Sequence, residues 1–217
     1  MKNYIKKLLI AIGLILPVQA DELHPAWKTL SNISGVVGSY NPFIIDNSTN
    51  FSVFSNTIHP NLNDMTTFGT LWLSRGNARK VGNPQAVILP SQITDQAGTP
   101  FIRTTGIVKG PSGKYYALLH VGNSYPSSSG YVPAWATSDD GINWTYHGKL
   151  KFNGLVPYVW SSSGALVVKE DRANIVDHVN PSNNKFVAWE DAYTLDGVAK
   201  RMVMIYSADG VNWYFYR

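Results

Sequence analysis

SDDGINW at residues 138–144 and SADGVNW at residues 207–213 are two copies of one pattern, S-x-D-G-x-x-W. Each Asp-Gly pair is typical of a tight hairpin turn, in which glycine adopts a positive φ and aspartate accepts backbone N–H groups. The serine can hydrogen-bond across the turn, and the tryptophan can pack into a sheet. One such turn is a weak signal, but two copies within a repeat predict a chain built from repeated β-units.

The sequence around these hairpins repeats as well. From Arg103, a strand, the turn PSGK, the strand YYALLH, a polar loop and the strand AWAT lead to the first hairpin and a last strand. From Arg172 the order is the same, with a first strand at residues 175–176, the turn PSNNK and the strand FVAWED. A weaker copy, without the aspartate and tryptophan, begins at Asn41. The pattern predicts an all-β fold with repeat units at about residues 41–100, 101–160 and 170–217.

The first twenty residues have the features of a secretory signal peptide. Three lysines precede an uncharged apolar run at residues 8–16, and a small-residue end follows at residues 18–20. The run is shorter than the ~20 residues that a membrane helix needs. We therefore expect cleavage near Ala20, a single domain at residues 21–217, a secreted or periplasmic location and no membrane insertion after the signal is removed.

Composition argues against several functional classes. The chain has 18 basic and 14 acidic residues, but three of the lysines lie in the predicted signal, which leaves 15 − 14 = +1 for the mature protein. A near-neutral chain without a Lys/Arg run has no electrostatic footprint for nucleic acid. There is no cysteine, and the histidines lack metal-ligand spacing. We predict no metal site, no cofactor and no nucleic-acid partner.

The two hairpins resemble the Asp boxes of sialidase-like and five-bladed, arabinosidase/xylosidase-type β-propeller glycoside hydrolases. GKYYALLH at residues 113–120, followed by ATSDDGINWTYHG at residues 136–148, is similar to a blade of these enzymes. The resemblance spans roughly residues 41–217. It implies a β-propeller-like fold of about three four-stranded antiparallel blades, with carbohydrate as the partner. Closed propellers need at least ~4 blades, so a truncated chain, an atypical fold and an oligomer that shares blades all stay open.

The catalytic sets of these families are incomplete in this sequence. The five-bladed hydrolases carry an aspartate beside a proline at the start of the first blade, where this chain has Asn41-Pro42. Sialidase-like enzymes use three arginines with a Tyr/Glu pair, and Arg103, Arg172 and Arg201 are the available arginines. Two functions therefore stay open: a protein that binds or hydrolyses glycans, and a non-catalytic binding or structural module.

The candidate site is expected at the end of the units opposite the hairpins, where first strands begin and second strands end. That end would gather Arg103, His120 and Arg172 as substrate-binding residues and Glu190 and Asp191 as catalytic carboxyls. Glu190 and Asp191 are adjacent on a strand, so their side chains point to opposite faces. A glycosidase needs two carboxyls ~5 to 9.5 Å apart, and a solvated strand end without catalysis is the alternative.

Other residues are expected to be structural. Asp140 and Asp209 belong to the turns, and Trp135, Trp160 and Trp189 are expected to pack between sheets rather than on sugar rings. The serine cluster at residues 161–163 lacks a nucleophile-elbow pattern and is expected to lie in a flexible loop.

Overall fold

The computed structural model describes residues 39–47, 50–57, 69–77, 80–82, 84–96, 98, 100–122 and 131–216. The predicted signal peptide lies outside these residues. The described part contains fourteen strands and two short 3-10 turns, which confirms the prediction of an all-β fold. Among the described residues, no helix has the length and apolar character to span a membrane.

The strands form three sheets in chain order. The first sheet contains β1 (Ser39–Asn47), β2 (Asn50–Thr57), β3 (Leu71–Asn77), β4 (Lys80–Val81) and β5 (Gln85–Ile88). The second contains β6 (Phe101–Lys109), β7 (Tyr115–Gly122), β8 (Val132–Ser138) and β9 (Trp144–Lys149). The third contains β10 (Lys151–Phe152), β11 (Tyr158–Val168), β12 (Phe186–Thr194), β13 (Lys200–Ser207) and β14 (Asn212–Phe215).

Each sheet contains an antiparallel meander of four consecutive strands, which is the blade arrangement of a β-propeller, and the first and third sheets each have one further short strand. The second sheet has the order β6-β7-β8-β9, and the third repeats it as β11-β12-β13-β14. The short strand β10 follows the second sheet along the chain but pairs in parallel with β14, the outer strand of the third. The outer edge of the third sheet is thus covered by a strand from between the two sheets.

The two S-x-D-G-x-x-W hairpins have the predicted internal bonding. Asp140 Oδ1 accepts the backbone N–H groups of Ile142 and Asn143, both at 2.7 Å. Gly141 has a φ of 75°, which glycine adopts without steric cost. The Trp144 indole donates to the Gly141 carbonyl at 3.0 Å. The second hairpin repeats each of these bonds around Asp209, so both aspartates shape turns, as predicted.

Two apolar cores join the sheets face to face. Strand β7 is buried along its whole length because its two faces pack in opposite directions. One face, with Leu119, belongs to the core shared with Phe54 of the first sheet. The other face, with Leu118, belongs to the core shared with Phe186 of the third sheet. The second sheet therefore lies between its two neighbours, as a middle blade does.

The third unit begins earlier than the repeat predicted. Its first strand is β11 at Tyr158–Val168, whereas residues 175–176 lie in the connection between β11 and β12. The serines at residues 161–163, predicted to lie in a loop, fall within β11. A register shift between Trp160 and Gly164 accommodates them as a β-bulge. The sequence pattern does not predict this strand, because the serine run at the bulge lacks the hydrophobic alternation of a regular strand.

Antiparallel pairing gives each sheet two distinct ends. The hairpin end carries the turn at residues 110–114, the turns at residues 139–143 and 208–211, and the connection between β11 and β12. The site end carries the starts of β6, β8, β11 and β13 and the ends of β7 and β12. His120 and Asp191 lie at the site end, away from the hairpins.

Candidate functional site

A buried pair of ionisable side chains links the second and third sheets at the site end. His120 Nε2 lies 3.0 Å from Glu190 Oε2, and both side chains have no exposed surface. His120 points from β7 towards the third sheet, while Glu190 points from β12 towards the second. Buried polar groups are usually partnered, and this contact joins the second sheet to the third at the site end.

Thr105 contacts the other oxygen of the Glu190 carboxylate. Its hydroxyl lies 3.0 Å from Glu190 Oε1 and 3.3 Å from the Leu118 carbonyl. Thr105 is the extra residue in a bulge of β6, where the register shifts between Thr104 and Gly106. Bulges redirect a side chain from its regular alternation. Here the bulge places a hydroxyl in the interface between sheets.

Gly164 provides the space that Glu190 occupies. It pairs with Glu190 across β11 and β12. A Cβ at Gly164 would lie 2.6 Å from Glu190 Oε2 and 2.8 Å from the Trp189 carbonyl oxygen, far inside normal contact distance. Only glycine fits against the carboxylate in this arrangement.

Aromatic rings enclose the histidine. The Tyr131 ring stacks on the His120 ring at a centroid distance of 6.4 Å and an interplanar angle of 23°. The Trp160 ring lies 6.3 Å from His120 on another side. Tyr131 and Trp160 are themselves buried, at 4% exposure each. Trp160 thus packs between sheets, as predicted, and supports the histidine.

Arg103 and Asn56 occupy the same end of the neighbouring strands. Arg103 pairs with His120 in the β6–β7 register and is half-buried. Asn56 is buried near the end of β2. Its side-chain Oδ1 accepts the Thr104 N–H at 2.7 Å, and its side-chain Nδ2 donates to the Ile102 carbonyl at 3.3 Å. Asn56 therefore fixes the start of β6, the strand that carries Arg103 and Thr105.

Asp191 points to the opposite face from Glu190, as the strand alternation predicts. Its carboxylate is 6% exposed and lies 2.7 Å from Lys200 Nζ. The hydrogen bond to Asp191, reinforced by its negative charge, raises the pKa of Lys200. Because the two carboxyls face different sides of the third sheet, Glu190 and Asp191 do not converge on one pocket.

Arg172 is not brought together with the other predicted residues. It lies in the connection between β11 and β12, where its N–H donates to the Lys169 carbonyl, and its side chain is exposed at the hairpin end. The expectation that Arg172 begins a first strand is wrong because β11 starts fourteen residues earlier, at Tyr158. Arg201, by contrast, lies on β13 at the site end.

Two further carboxylates also lie at the hairpin end. Glu170 accepts hydrogen bonds from the Ser112 N–H at 2.6 Å and the Tyr116 hydroxyl at 2.8 Å. Asp177 accepts the Asn180 N–H at 2.7 Å. The fold therefore separates both carboxylates from Asp191, and neither forms an acid/base pair with it.

An aromatic groove opens at the site end between the second and third sheets. Its volume is about 460 Å³. Phe152 and Trp160 stack with centroids 5.4 Å apart, and Phe152 also stacks on Phe215 at 4.7 Å. Trp160 forms both the inner wall of the groove and one side of the His120 environment. The lining is Tyr131, Val132, Leu150, Phe152, Val156, Tyr158, Val159 and Trp160.

The polar groups of the site end differ in their exposure. The described residues include no group of three or more His, Cys, Asp or Glu side chains that could hold a metal ion. Glu190, His120 and Asp191 are buried, whereas Arg103 is half-buried and Lys200 is exposed. The side chain of Asn41, which the resemblance aligns with the first-blade aspartate of five-bladed hydrolases, lies outside those described.

Sequence reasoning did not identify Thr105, Gly164, Tyr131 or Lys200 as parts of this site. No motif singles out these residues. β-Bulges bring Thr105 and Gly164 to the site. The pairing of neighbouring strands determines the positions of Tyr131 and Lys200. For His120 and Asp191, the sequence signal was their position at the ends of second strands, which predicts the end of the sheets at which they lie.

Comparison with solved structures shows a shared fold at low sequence identity. A family 117 glycoside hydrolase, Zg3597 from Zobellia galactanivorans, matches with a TM-score of 0.54 and 12% identity over 85% of this chain and 57% of that one. Sucrose-6-phosphate hydrolase from Lactobacillus gasseri matches with a TM-score of 0.53 and 16% identity over 82% of this chain and 35% of that one. A proposed glycoside hydrolase from Bacteroides ovatus ATCC 8483 matches with a TM-score of 0.50 and 18% identity over 81% of this chain and 48% of that one.

These matches establish the propeller-like fold and leave the activity open. The chain spans between 35 and 57% of the length of these three proteins. Scans against family models and against curated proteins find no match.

Proposed function

We propose that this chain is an exported carbohydrate-active protein of the glycoside-hydrolase or sialidase-like propeller type, which binds or hydrolyses glycans at the site end. The observation that supports the proposal best is the aromatic groove beside the buried His120–Glu190 pair, at the end opposite the hairpins. The solved structures with the same fold include proteins named as glycoside hydrolases, and carbohydrate is the partner that this likeness suggests.

The groove has the size and lining of a small-molecule site. Pockets for such ligands are mostly apolar, have volumes of about 300 to 1,000 Å³ and carry a few polar groups that set orientation. Phe152 and Tyr158 are half-buried, so part of each ring remains available to the apolar face of a sugar. Arg103, which pairs with His120 across β6 and β7, is the cation that we propose for contacts to sugar hydroxyls or to the carboxylate of an acidic sugar.

Glu190 and Asp191 are the carboxyls that we propose to test for catalysis. Hydrolysis by this pair requires both groups to reach one glycosidic bond. Their positions on opposite faces and the complete burial of Glu190 oppose that arrangement. We therefore assign Glu190 and His120 to positioning of the groove wall, through Trp160 and Tyr131, and place direct sugar contacts on Arg103.

A non-catalytic binding module is the second candidate. The observation in its favour is the same separation of Glu190 from Asp191. The two candidates differ in one measurable respect, because a hydrolase turns over a glycoside, whereas a binding module does not.

The test combines a glycan array with chromogenic glycosides across a range of pH. We expect binding to at least one class of glycan by the purified protein. Turnover that disappears in Asp191→Asn, while binding persists, supports hydrolysis. Binding without turnover supports the module. Absence of both binding and turnover at every pH contradicts the proposal.

A further inference from the structure

The aromatic groove at the site end has a lining without a charged side chain. Its eight lining residues are three valines, one leucine, one phenylalanine, two tyrosines and one tryptophan. Among these side chains, the two tyrosine hydroxyls and the indole N–H are the groups that form hydrogen bonds. Tyr131 and Trp160 are each 4% exposed, which leaves Tyr158 as the half-buried polar side chain of the lining. The lining therefore matches an uncharged, mostly apolar group.

A sugar ring enclosed in this groove would be poorly matched to the lining. Its hydroxyls would lose their bonds to water on entry, and a buried hydroxyl without a new partner is destabilising. The Tyr158 hydroxyl can partner part of a sugar, but valine, leucine and phenylalanine side chains offer no hydrogen bond. The sugar is therefore expected at the opening of the groove, where water completes its bonds, and the interior suits an apolar substituent.

Three aromatic rings at the groove are nearly parallel. The Phe152 ring lies 5.4 Å from Trp160 at an interplanar angle of 20°, and 4.7 Å from Phe215 at 21°. Trp160 and Phe215 are inclined by 14°, with centroids 5.9 Å apart. Phe215 is not part of the lining, so it supports the Phe152 ring from outside the groove. The rings therefore give the groove one preferred plane for a ligand.

A flat ring can extend this stack. Phe152 is half-buried and belongs to the lining, so part of its ring is accessible from the groove. A planar apolar ring parallel to Phe152 gains stacking contact without burying an unsatisfied polar group. We propose that the groove binds an uncharged aryl group attached to the sugar, so that the ligand is an aryl glycoside or another aryl-substituted glycan. This inference rests on the proposed function, because it specifies what the glycan carries.

Titration calorimetry with three glycosides of one sugar tests the aryl group. The probes are the phenyl, cyclohexyl and methyl β-glycosides of glucose, galactose and xylose, compared within each sugar. For at least one sugar, the phenyl glycoside should bind about tenfold tighter than the methyl glycoside, because the phenyl group buries apolar surface. The cyclohexyl glycoside should bind more weakly than the phenyl glycoside, because a puckered ring does not stack flat on Phe152.

Two outcomes of this titration would overturn the proposal. One is that phenyl glycosides bind no tighter than methyl glycosides for every sugar. The other is that cyclohexyl glycosides bind as tightly as phenyl glycosides, since the groove would then select apolar volume rather than a flat ring.

A pair of variants locates the aryl group in the groove. Phe152→Leu removes the stacking ring but keeps an apolar side chain, so affinity for the phenyl glycoside should fall about two- to tenfold, with no change for the methyl glycoside. Phe51→Leu is the matched control, because Phe51 is half-buried on β2 and lies outside the groove lining. Circular dichroism reports whether each variant is folded. Equal losses in the two folded variants would contradict an aryl site at Phe152.

The aryl site and the proposed function fail in different ways. Glycan-array binding without a phenyl preference would overturn the aryl site and leave the proposed function in place. A phenyl preference that Phe152→Leu abolishes, without binding to any glycan on the array, would contradict the proposed function and support an aryl site in the groove.

Discussion

His120 Nε2 and Glu190 Oε2 lie 3.0 Å apart in the interface between the second and third sheets, with neither side chain exposed. Each residue comes from the second strand of its own sheet, so the contact connects two repeat units rather than two ends of one unit. Thr105 holds the other oxygen of Glu190, and Gly164 leaves room for the carboxylate. The four residues therefore act as one structural element at the site end.

Removal of one member of the buried pair should destabilise the fold strongly. Glu190→Ala removes a fully buried side chain together with its contacts to His120 and Thr105, and truncation of a buried side chain of this size typically costs about 2 to 5 kcal/mol. We expect a similar loss for His120→Ala. The double variant should lose less than the sum of the two, because each single variant already loses the contact between the two side chains. Urea unfolding of the four proteins measures this coupling, and strict additivity would contradict it.

Thr105→Val should destabilise the interface by a smaller amount. Valine keeps the shape of threonine but removes the hydroxyl that bonds Glu190 Oε1 and the Leu118 carbonyl. Leaving buried acceptors unsatisfied costs about 1 to 3 kcal/mol. Thr145 is exposed on β9, so Thr145→Val is the control and should change the free energy of unfolding little. Equal effects of the two substitutions would show that the Thr105 hydroxyl contributes nothing specific.

Gly164→Ala should displace Glu190. The added methyl group would lie 2.6 Å from Glu190 Oε2 and cannot move away, because the Trp189 backbone lies behind it at 2.8 Å. Overpacking of this kind costs about 1 to 3 kcal/mol. Ala165→Ser, at the adjacent exposed position, serves as the control. A shift of the His120 ring signals in the NMR spectrum of Gly164→Ala, absent in the control, is the specific readout; unchanged ring signals would refute the steric argument.

The hairpin aspartates should make stability depend on pH in the acid range. Hydrogen bonds from the Asn143 N–H, the Ile142 N–H and the Asn143 side chain hold the pKa of Asp140 well below its usual value. Burial opposes ionisation of Asp209, but hydrogen bonds from Asn212, Val211 and Ser207 still lower its pKa. A depressed pKa stabilises the fold above the unfolded value of about 3.9, and that stabilisation is lost as pH falls through the folded value.

The Asp140→Asn/Asp209→Asn double variant should therefore lose stability more at pH 6 than at pH 3. The difference between wild type and variant should shrink as pH decreases through about 4, the ordinary pKa of an aspartate. Urea unfolding at a series of pH values measures the difference. A gap of constant size across this range would mean that the charge of the two carboxylates has no part in turn stability.

The hairpins and the strand order could be predicted from the sequence because they rest on local chemistry. Asp140-Gly141 and Asp209-Gly210 each fix a turn within seven residues, and the distance between the copies gives the repeat. The start of the third sheet could not be found in this way. Its first strand contains three consecutive serines that pass through a bulge, so hydrophobic periodicity fails at that point.

The candidate site was predictable only in part for a related reason. The repeat places His120 and Asp191 at the ends of second strands, and strand alternation separates the side chains of Glu190 and Asp191. The contact between His120 and Glu190 depends on how two sheets pack, which no spacing within one unit encodes. The sequence pattern predicts Arg172 at the site because it places the first strand of the third unit too late in the chain.

Glycan-array binding by the wild type, Arg103→Ala and Arg172→Ala tests the location of the proposed site most directly. The two arginines lie at opposite ends of the sheets, so the second variant controls for loss of a positive charge. The wild type and Arg172→Ala should bind the same class of glycan, and Arg103→Ala should lose most of that binding. No glycan binding by the wild type, or equal losses in the two variants, would contradict a carbohydrate site at this end of the fold.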